Sequence, residues 1–151
     1  MLRYGWSLEK DRWQSISPDL FEASWREVKF SPDSSVLIPE SRGIYLVIIE
    51  SKNILTRAPF SSFSSPIYVG HSIKLRQRFK QHTIGNKDSN LRNKLTGFTN
   101  NVHFHFAVFD RYPKDELKKL EQSLIDVFGP QLNSINSISP GVVIEEPIKG
   151  Y

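Results

Sequence analysis

Residues 43–50 read GIYLVIIE and residues 66–71 read PIYVGH. The two stretches are near mirror images, with a tyrosine two places after a glycine in one and two places before a glycine in the other. The first is almost wholly apolar and rich in β-branched side chains, the pattern of a central strand. The second reads as a strand over IYVG, yet it spends positions on a phenol, a glycine and a polar turn where valine or leucine would pack better. Tyrosines placed this way either pack as core rings with wet hydroxyls or form the rim of a site.

Outward from these strands, Ser17 and Pro18 open a short helix near residues 18–27, with Leu20, Phe21, Trp25 and Val28 as its apolar side. SPDSSVLIPESR at 31–42 reads as a loop, and SKNILTRAPFSSFSS at 51–65 as a serine-rich connection of unusual length for a compact domain. NVHFHFAVFD at 101–110 alternates well enough to be a third strand. His103 and His105 share one face of it, a geometry open to metal binding but read here as ordinary strand residues. Trp6, Trp13 and Trp25 are expected to pack an N-terminal extension onto the core and receive no function.

Two helices carry the informative side chains. Ser72 is the expected cap of the first, which runs to about His82. At roughly 100° per residue Leu75 and Phe79 define its buried stripe, with Arg78 and His82 beside that stripe and Arg76, Gln77, Lys80 and Gln81 on the outer face. The second helix opens at Pro113 and stops at Gly129-Pro130. Its apolar arc is Leu117, Leu120, Leu124, Val127 and Phe128, extended by Ile125, and Glu121 falls inside the arc. A carboxylate facing a core costs several kcal/mol unless a cation or hydrogen-bond donors offset it. Glu121 therefore requires a partner, either a basic side chain or a divalent metal, which prefers hard oxygen ligands.

The chain has 151 residues, 38% hydrophobic and 12% aromatic, enough for one compact core and too few for two ordinary domains. The absence of cysteine excludes disulfides and cysteine-ligated zinc, and four histidines without metal-type spacing argue against a histidine-only structural site. MLRYGWSLEKDRW has no apolar leader core, and the run YLVII is far too short to span a membrane. A soluble cytoplasmic protein is expected. Net charge is +4, but between His71 and Phe98 Lys74, Arg76, Arg78, Lys80, Lys87, Arg92 and Lys94 face Asp88 alone, a local +6 that leaves −2 for the rest. Such a field either attracts a polyanion such as nucleic acid or is a solvated helix face.

Taken in order, GIY at 43–45, YVG at 68–70, LRQRFKQH at 75–82, LEQSLI at 120–125 and PQLN at 130–133 resemble the GIY-YIG nuclease superfamily. The resemblance covers roughly residues 40–135. It matches Tyr45 and Tyr68 to the motif tyrosines, Arg78 to the family arginine, His82 to a histidine of the restriction-enzyme branch, Glu121 to the metal-binding glutamate and Asn133 to the closing asparagine. The tyrosines stand 23 positions apart, further than in compact members, because of the 51–65 connection. The implied fold is α+β, a small three-stranded antiparallel sheet flanked by helices. The expected organisation is an N-terminal extension over 1–40, the core over 41–135 and a tail over 136–151.

The implied activity is divalent-metal-dependent endonucleolytic hydrolysis, with DNA the expected substrate. Glu121 would hold Mg²⁺ or Mn²⁺. Arg78 would stabilise the phosphate, and Tyr68, whose unperturbed pKa is about 10, would be the general base given nearby positive charge or a hydroxide acceptor. Tyr68 is expected at the end of its strand, with Gly70 turning the backbone into the arginine-bearing helix. Tyr45 would orient water or share the base role, and His82 would contact phosphate or move protons. Lys74, Arg76, Lys80, Lys87, Arg92 and Lys94 are the candidate nucleic-acid contacts. The alternative is a catalytically weak nucleic-acid-binding module on the same fold. About 40 residues before the core and fewer than 20 after PQLN leave no room for a recognition domain, so loops, a partner or homodimerisation would supply specificity.

Overall fold

The run at 43–50 becomes an inner strand, β2 (Gly43–Glu50), between β3 (Ser64–Ser72) and β4 (Val102–Val108). The computed structural model describes residues 14, 16–50, 64–85, 90–130 and 132–133, without the side chains of 99 and 100. Lys87, Trp6, Trp13, the connection as far as residue 63 and the tail from 136 lie outside the described residues. Ser64 and Ser65, read as connection, already belong to β3.

Among the described residues the sheet has four strands and not three, in the antiparallel order β1-β4-β2-β3. The additional strand, β1 (Arg26–Lys29), lies partly within the segment read as one helix over 18–27. That helix, α1, ends at Glu22. Ala23 takes an extended conformation and the Trp25 indole N–H donates to the Leu20 carbonyl at 2.7 Å, so the last turn is closed by a side chain and the backbone leaves as strand. Val28 then faces the core opposite Phe104, Arg26 stacks its guanidinium 4.8 Å from the Phe106 ring, and Phe21 is left 67% exposed. A short 3₁₀ helix at Pro32–Leu37 occupies part of the expected loop.

Each face of the sheet has its own core. On one, Tyr45, Val47, Phe104 and Phe106 pack with Leu75 and Phe79 of α2 (Leu75–Ile84), both of them fully buried as their helical spacing requires. On the other, Ile44, Val69 and Ala107 meet Leu117, Leu120, Leu124 and Val127 of α4 (Lys114–Phe128), while Ile125 and Phe128 cover the margin. Truncating a ring such as Phe79 or Phe104 to alanine would cost about 3–5 kcal/mol. Helix α4 begins after Pro113 and ends at Gly129, whose φ of 53° suits the left-handed cap that only glycine adopts without penalty. Helix α3 (Leu91–Lys94) packs on α2 and adds Leu91 to the first of these cores. No helix among the described residues is long and apolar enough to cross a membrane.

Candidate active site

Strand parity sorts the candidate side chains onto the two faces of β3. Tyr68 and Gly70 belong to the α2 side, and Val69 and His71 to the α4 side, because successive strand residues point to opposite faces. Tyr68 lies in the middle of the edge strand, not at its end. Ser72 does not cap α2 but accepts from the Lys74 N–H, one step before the helix begins.

On the α2 side Tyr45 is wholly buried, its ring centroid 6.1 Å from that of Tyr68. The Tyr45 hydroxyl shares a 2.7 Å hydrogen bond with His82 Nε2, and the His82 ring stands edge-on to both tyrosines at 5.5 Å. Arg78, one helical turn before His82, acts on the same Tyr45 phenol and pulls its pKa down. Gly70 stands opposite Tyr45 in the β2–β3 ladder, and a Cβ on it would lie 2.9 Å from Tyr45 Cε2 and nearer still to Cζ and Oη. The glycine of YVG is thus the slot that admits the Tyr45 phenol, within extended strand, and it does not turn the chain into the helix.

On the α4 side Glu121 is half-buried, and its partner is a histidine that the sequence reading did not single out. His71 Nδ1 donates to Glu121 Oε1 at 2.9 Å, with the two side chains 16% and 19% exposed. The signal that would have found it is parity: two places after the buried Val69, His71 must face the same helix. Asn133 is buried against β3, where it accepts from the Val69 N–H at 2.6 Å and donates to the Val69 carbonyl at 2.8 Å. Its carboxamide thereby ties down the edge backbone between Tyr68 and Gly70.

The electrostatics join the two sides. Burial pushes the Tyr68 phenol up, the Glu121 carboxylate pushes it further, and Arg78 and Tyr45 pull the other way without prevailing. Tyr45 is driven well above its ordinary range by burial and then by Tyr68, against the pull of Arg78. Both phenols therefore feel the same glutamate and the same arginine, although the four groups come from β2, β3, α2 and α4.

The family model of the GIY-YIG catalytic domain matches residues 43–136, more than half of the chain. The chain belongs to the GIY-YIG family. Among curated proteins none matches it in sequence. It is similar to the GIY-YIG N-terminal endonuclease domain of UvrC from Thermotoga maritima, whose crystal structure contains magnesium as its catalytic divalent cation, at 20% identity and a TM-score of 0.46 over 67% of this chain and 92% of that one. A tyrosine-to-phenylalanine variant of the same domain aligns at 20% identity and a TM-score of 0.44 over 67% and 91%.

The basic side chains of this GIY-YIG chain divide into two kinds. Lys74 and Arg78 line a cleft of about 280 Å³ together with Ser72, Ile73, Gln77 and Gln81, just outside the tyrosine cluster. Lys80 and Lys94 are exposed, and Arg92 is half-buried on α3. Arg76 is half-buried, and its Nε donates to the Ile38 carbonyl at 2.7 Å, which ties α2 to the segment before β2. Imidazole and carboxylate meet at a second place, where Glu27, Glu50 and His103 gather on the sheet away from this cleft.

Proposed function

We propose that this chain is a divalent-metal-dependent endonuclease that hydrolyses phosphodiester bonds, with DNA as substrate. The observation that carries the reading is the convergence of Tyr68, Arg78 and Glu121 on one electrostatic site beside a cationic cleft. Tyr45 is sealed in the core and Tyr68 is half-exposed, so of the two phenols Tyr68 is the one a reacting water can reach.

Glu121 fits a hard cation, being a half-buried carboxylate oriented by an imidazole N–H, the arrangement that commonly fixes metal-binding carboxylates. Mg²⁺ or Mn²⁺ held there would offset the carboxylate charge that raises Tyr68 and supply electrophilic stabilisation to the phosphate. The chain's own groups do the rest. Arg78 and Lys74 bind the non-bridging oxygens, and Arg78 stabilises the added charge as phosphorus becomes five-coordinate. Tyr68 Oη, as phenolate, accepts the proton of the attacking water as that water's oxygen bonds to phosphorus, the P–O bond to the leaving oxygen breaks, and the leaving oxygen takes a proton from solvent. His82 holds Tyr45, and Arg78 acts electrostatically on the same phenol.

The test is cleavage of single- and double-stranded DNA and RNA with and without Mg²⁺, beside Glu121→Gln. Metal-dependent scission of DNA, abolished in the variant while DNA affinity is kept, is the expected result. Binding without scission under every condition would replace the nuclease with a nucleic-acid-binding module.

A further inference from the structure

The sheet face that carries α4 has a second cluster of ligand-type side chains at its far end. Glu27 of β1, His103 and His105 of β4 and Glu50 of β2 meet there, drawn from three adjacent strands. His103 Nε2 lies 3.6 Å from Glu27 Oε2, His103 Nδ1 lies 3.7 Å from Glu50 Oε1, and His105 Nε2 lies 3.9 Å from Glu27 Oε1. One donor atom from each of Glu27, Glu50 and His103 fits within a span of 4.8 Å.

These separations decide between two kinds of cluster. An imidazolium bridging two carboxylates would close to charge-assisted hydrogen bonds of roughly 2.7–2.9 Å. The observed gaps are too long for hydrogen bonds. His103 Nδ1 and His105 Nε2 are moreover shielded from solvent with no hydrogen-bond partner among the described residues. Donors about 2.0–2.2 Å from a shared ion are held roughly 3.3–3.6 Å apart along a tetrahedral edge, and further apart in wider geometries. The two shorter gaps run from opposite nitrogens of one imidazole, so His103 would give an ion a single nitrogen; that atom and one oxygen from each glutamate lie within 4.8 Å of one another, near enough for small side-chain rotations to close them on an ion.

We propose that Glu27, Glu50 and His103 bind a divalent first-row transition ion, with His105 standing beside the other oxygen of Glu27. An imidazole nitrogen among the donors favours an ion such as Zn²⁺ over Mg²⁺. The site is separate from Glu121. His71, the Glu121 partner, stands opposite Ile44 on β2, and His103 stands opposite Ile48. Four residues along a strand and two strands across place them roughly 17 Å apart. The ion would staple β1, a four-residue edge strand outside the family-matched region, to the two strands at the centre of the sheet. Its role is structural, and the proposal stands whether or not the chain is a nuclease.

Calorimetric titration of the full chain with ZnCl₂ in excess Mg²⁺ tests this, comparing wild type with Glu121→Gln, His103→Ala and Glu50→Gln. Wild type and Glu121→Gln should bind one Zn²⁺ with the same affinity, and the two cluster variants should lose at least about tenfold. Zn²⁺ should also slow amide exchange at Arg26–Lys29. Glu50→Gln preserves side-chain shape at a strand end, so matching melting curves with chelator present separate lost binding from lost folding. Absence of saturable Zn²⁺ binding, unaltered binding in Glu50→Gln, or loss in Glu121→Gln with retention in Glu50→Gln would each overturn the site.

Discussion

Gly70→Ala is the substitution for which the structure gives the sharpest expectation. The new Cβ would lie 2.9 Å from Tyr45 Cε2 and nearer to Cζ and Oη, whereas carbon atoms in contact keep about 3.5–4.0 Å. The ring must retreat by about 1 Å to clear all three atoms. It has no open side on which to do so, because Phe104 stacks on it at 5.0 Å and His82 stands at 5.5 Å. Overpacking of this kind costs about 1–3 kcal/mol, read as a lower urea midpoint with unchanged slope. The hydroxyl that bonds His82 moves with the ring, and a 1 Å misplacement of catalytic groups costs about a hundredfold in rate. Single-turnover cleavage at saturating protein would read that loss apart from stability. A double-mutant cycle with Tyr45→Phe, which deletes Oη and part of the clash, should be clearly non-additive. A Gly70→Ala protein with an unchanged midpoint and a rate within about threefold of wild type would refute the idea that the glycine exists to admit the phenol.

Three further outcomes are expected. Because Tyr68 is raised, it is protonated at neutral pH, and if its phenolate is the base then cleavage should accelerate about tenfold per pH unit below its pKa; Tyr68→Phe should lose at least about a hundredfold and flatten the profile. A wild-type rate independent of pH would remove Tyr68 from the base role. Arg92→Ala with Lys94→Ala should lower the slope of log affinity against log salt by about 1.8 without changing turnover of bound DNA, whereas Arg76→Ala should lower the melting temperature by freeing the Ile38 carbonyl and leave the slope alone. Asn133→Ala deprives Val69 of both backbone hydrogen bonds and should destabilise by about 2 kcal/mol in urea melts, while Asn133→Asp, which keeps the acceptor alone, should fall between.

The legible parts of the fold were those with strong periodicity. Leu75, Phe79 and the arc on α4 are buried where a 3.6-residue repeat puts them, and β2 and β4 lie where apolar content and alternation place them. Strand β1 was not legible because its four residues, REVK, bury only Val28, too little alternation to outweigh the helix start just before it. The fit of Glu121 inside an apolar arc was legible, but its partner was not, since pairing a helix residue with a strand residue 50 positions away needs the register of both. The cluster at Glu27, Glu50 and His103 escaped for the same reason. A spacing rule applied to histidines alone is blind to carboxylates arriving from neighbouring strands.

The placement of the reacting groups on an edge strand has a physical logic of its own. An inner strand is covered on both sides, and Tyr45 on β2 is accordingly sealed at zero exposure. Strand β3 is the edge of the described sheet, with Tyr68 on its α2 face and His71 with Glu121 on its α4 face, so under the proposed function a phosphate at this edge would meet groups of both faces without entering the core. The same exposure leaves backbone groups open to pairing with another chain, the usual liability of a sheet edge. Asn133 answers that liability at Val69, the residue between Tyr68 and Gly70, by engaging its N–H and carbonyl with one carboxamide. The asparagine that closes the motif order thus holds the strand at the level where the two half-sites meet, which is why its loss should loosen the geometry on both faces at once.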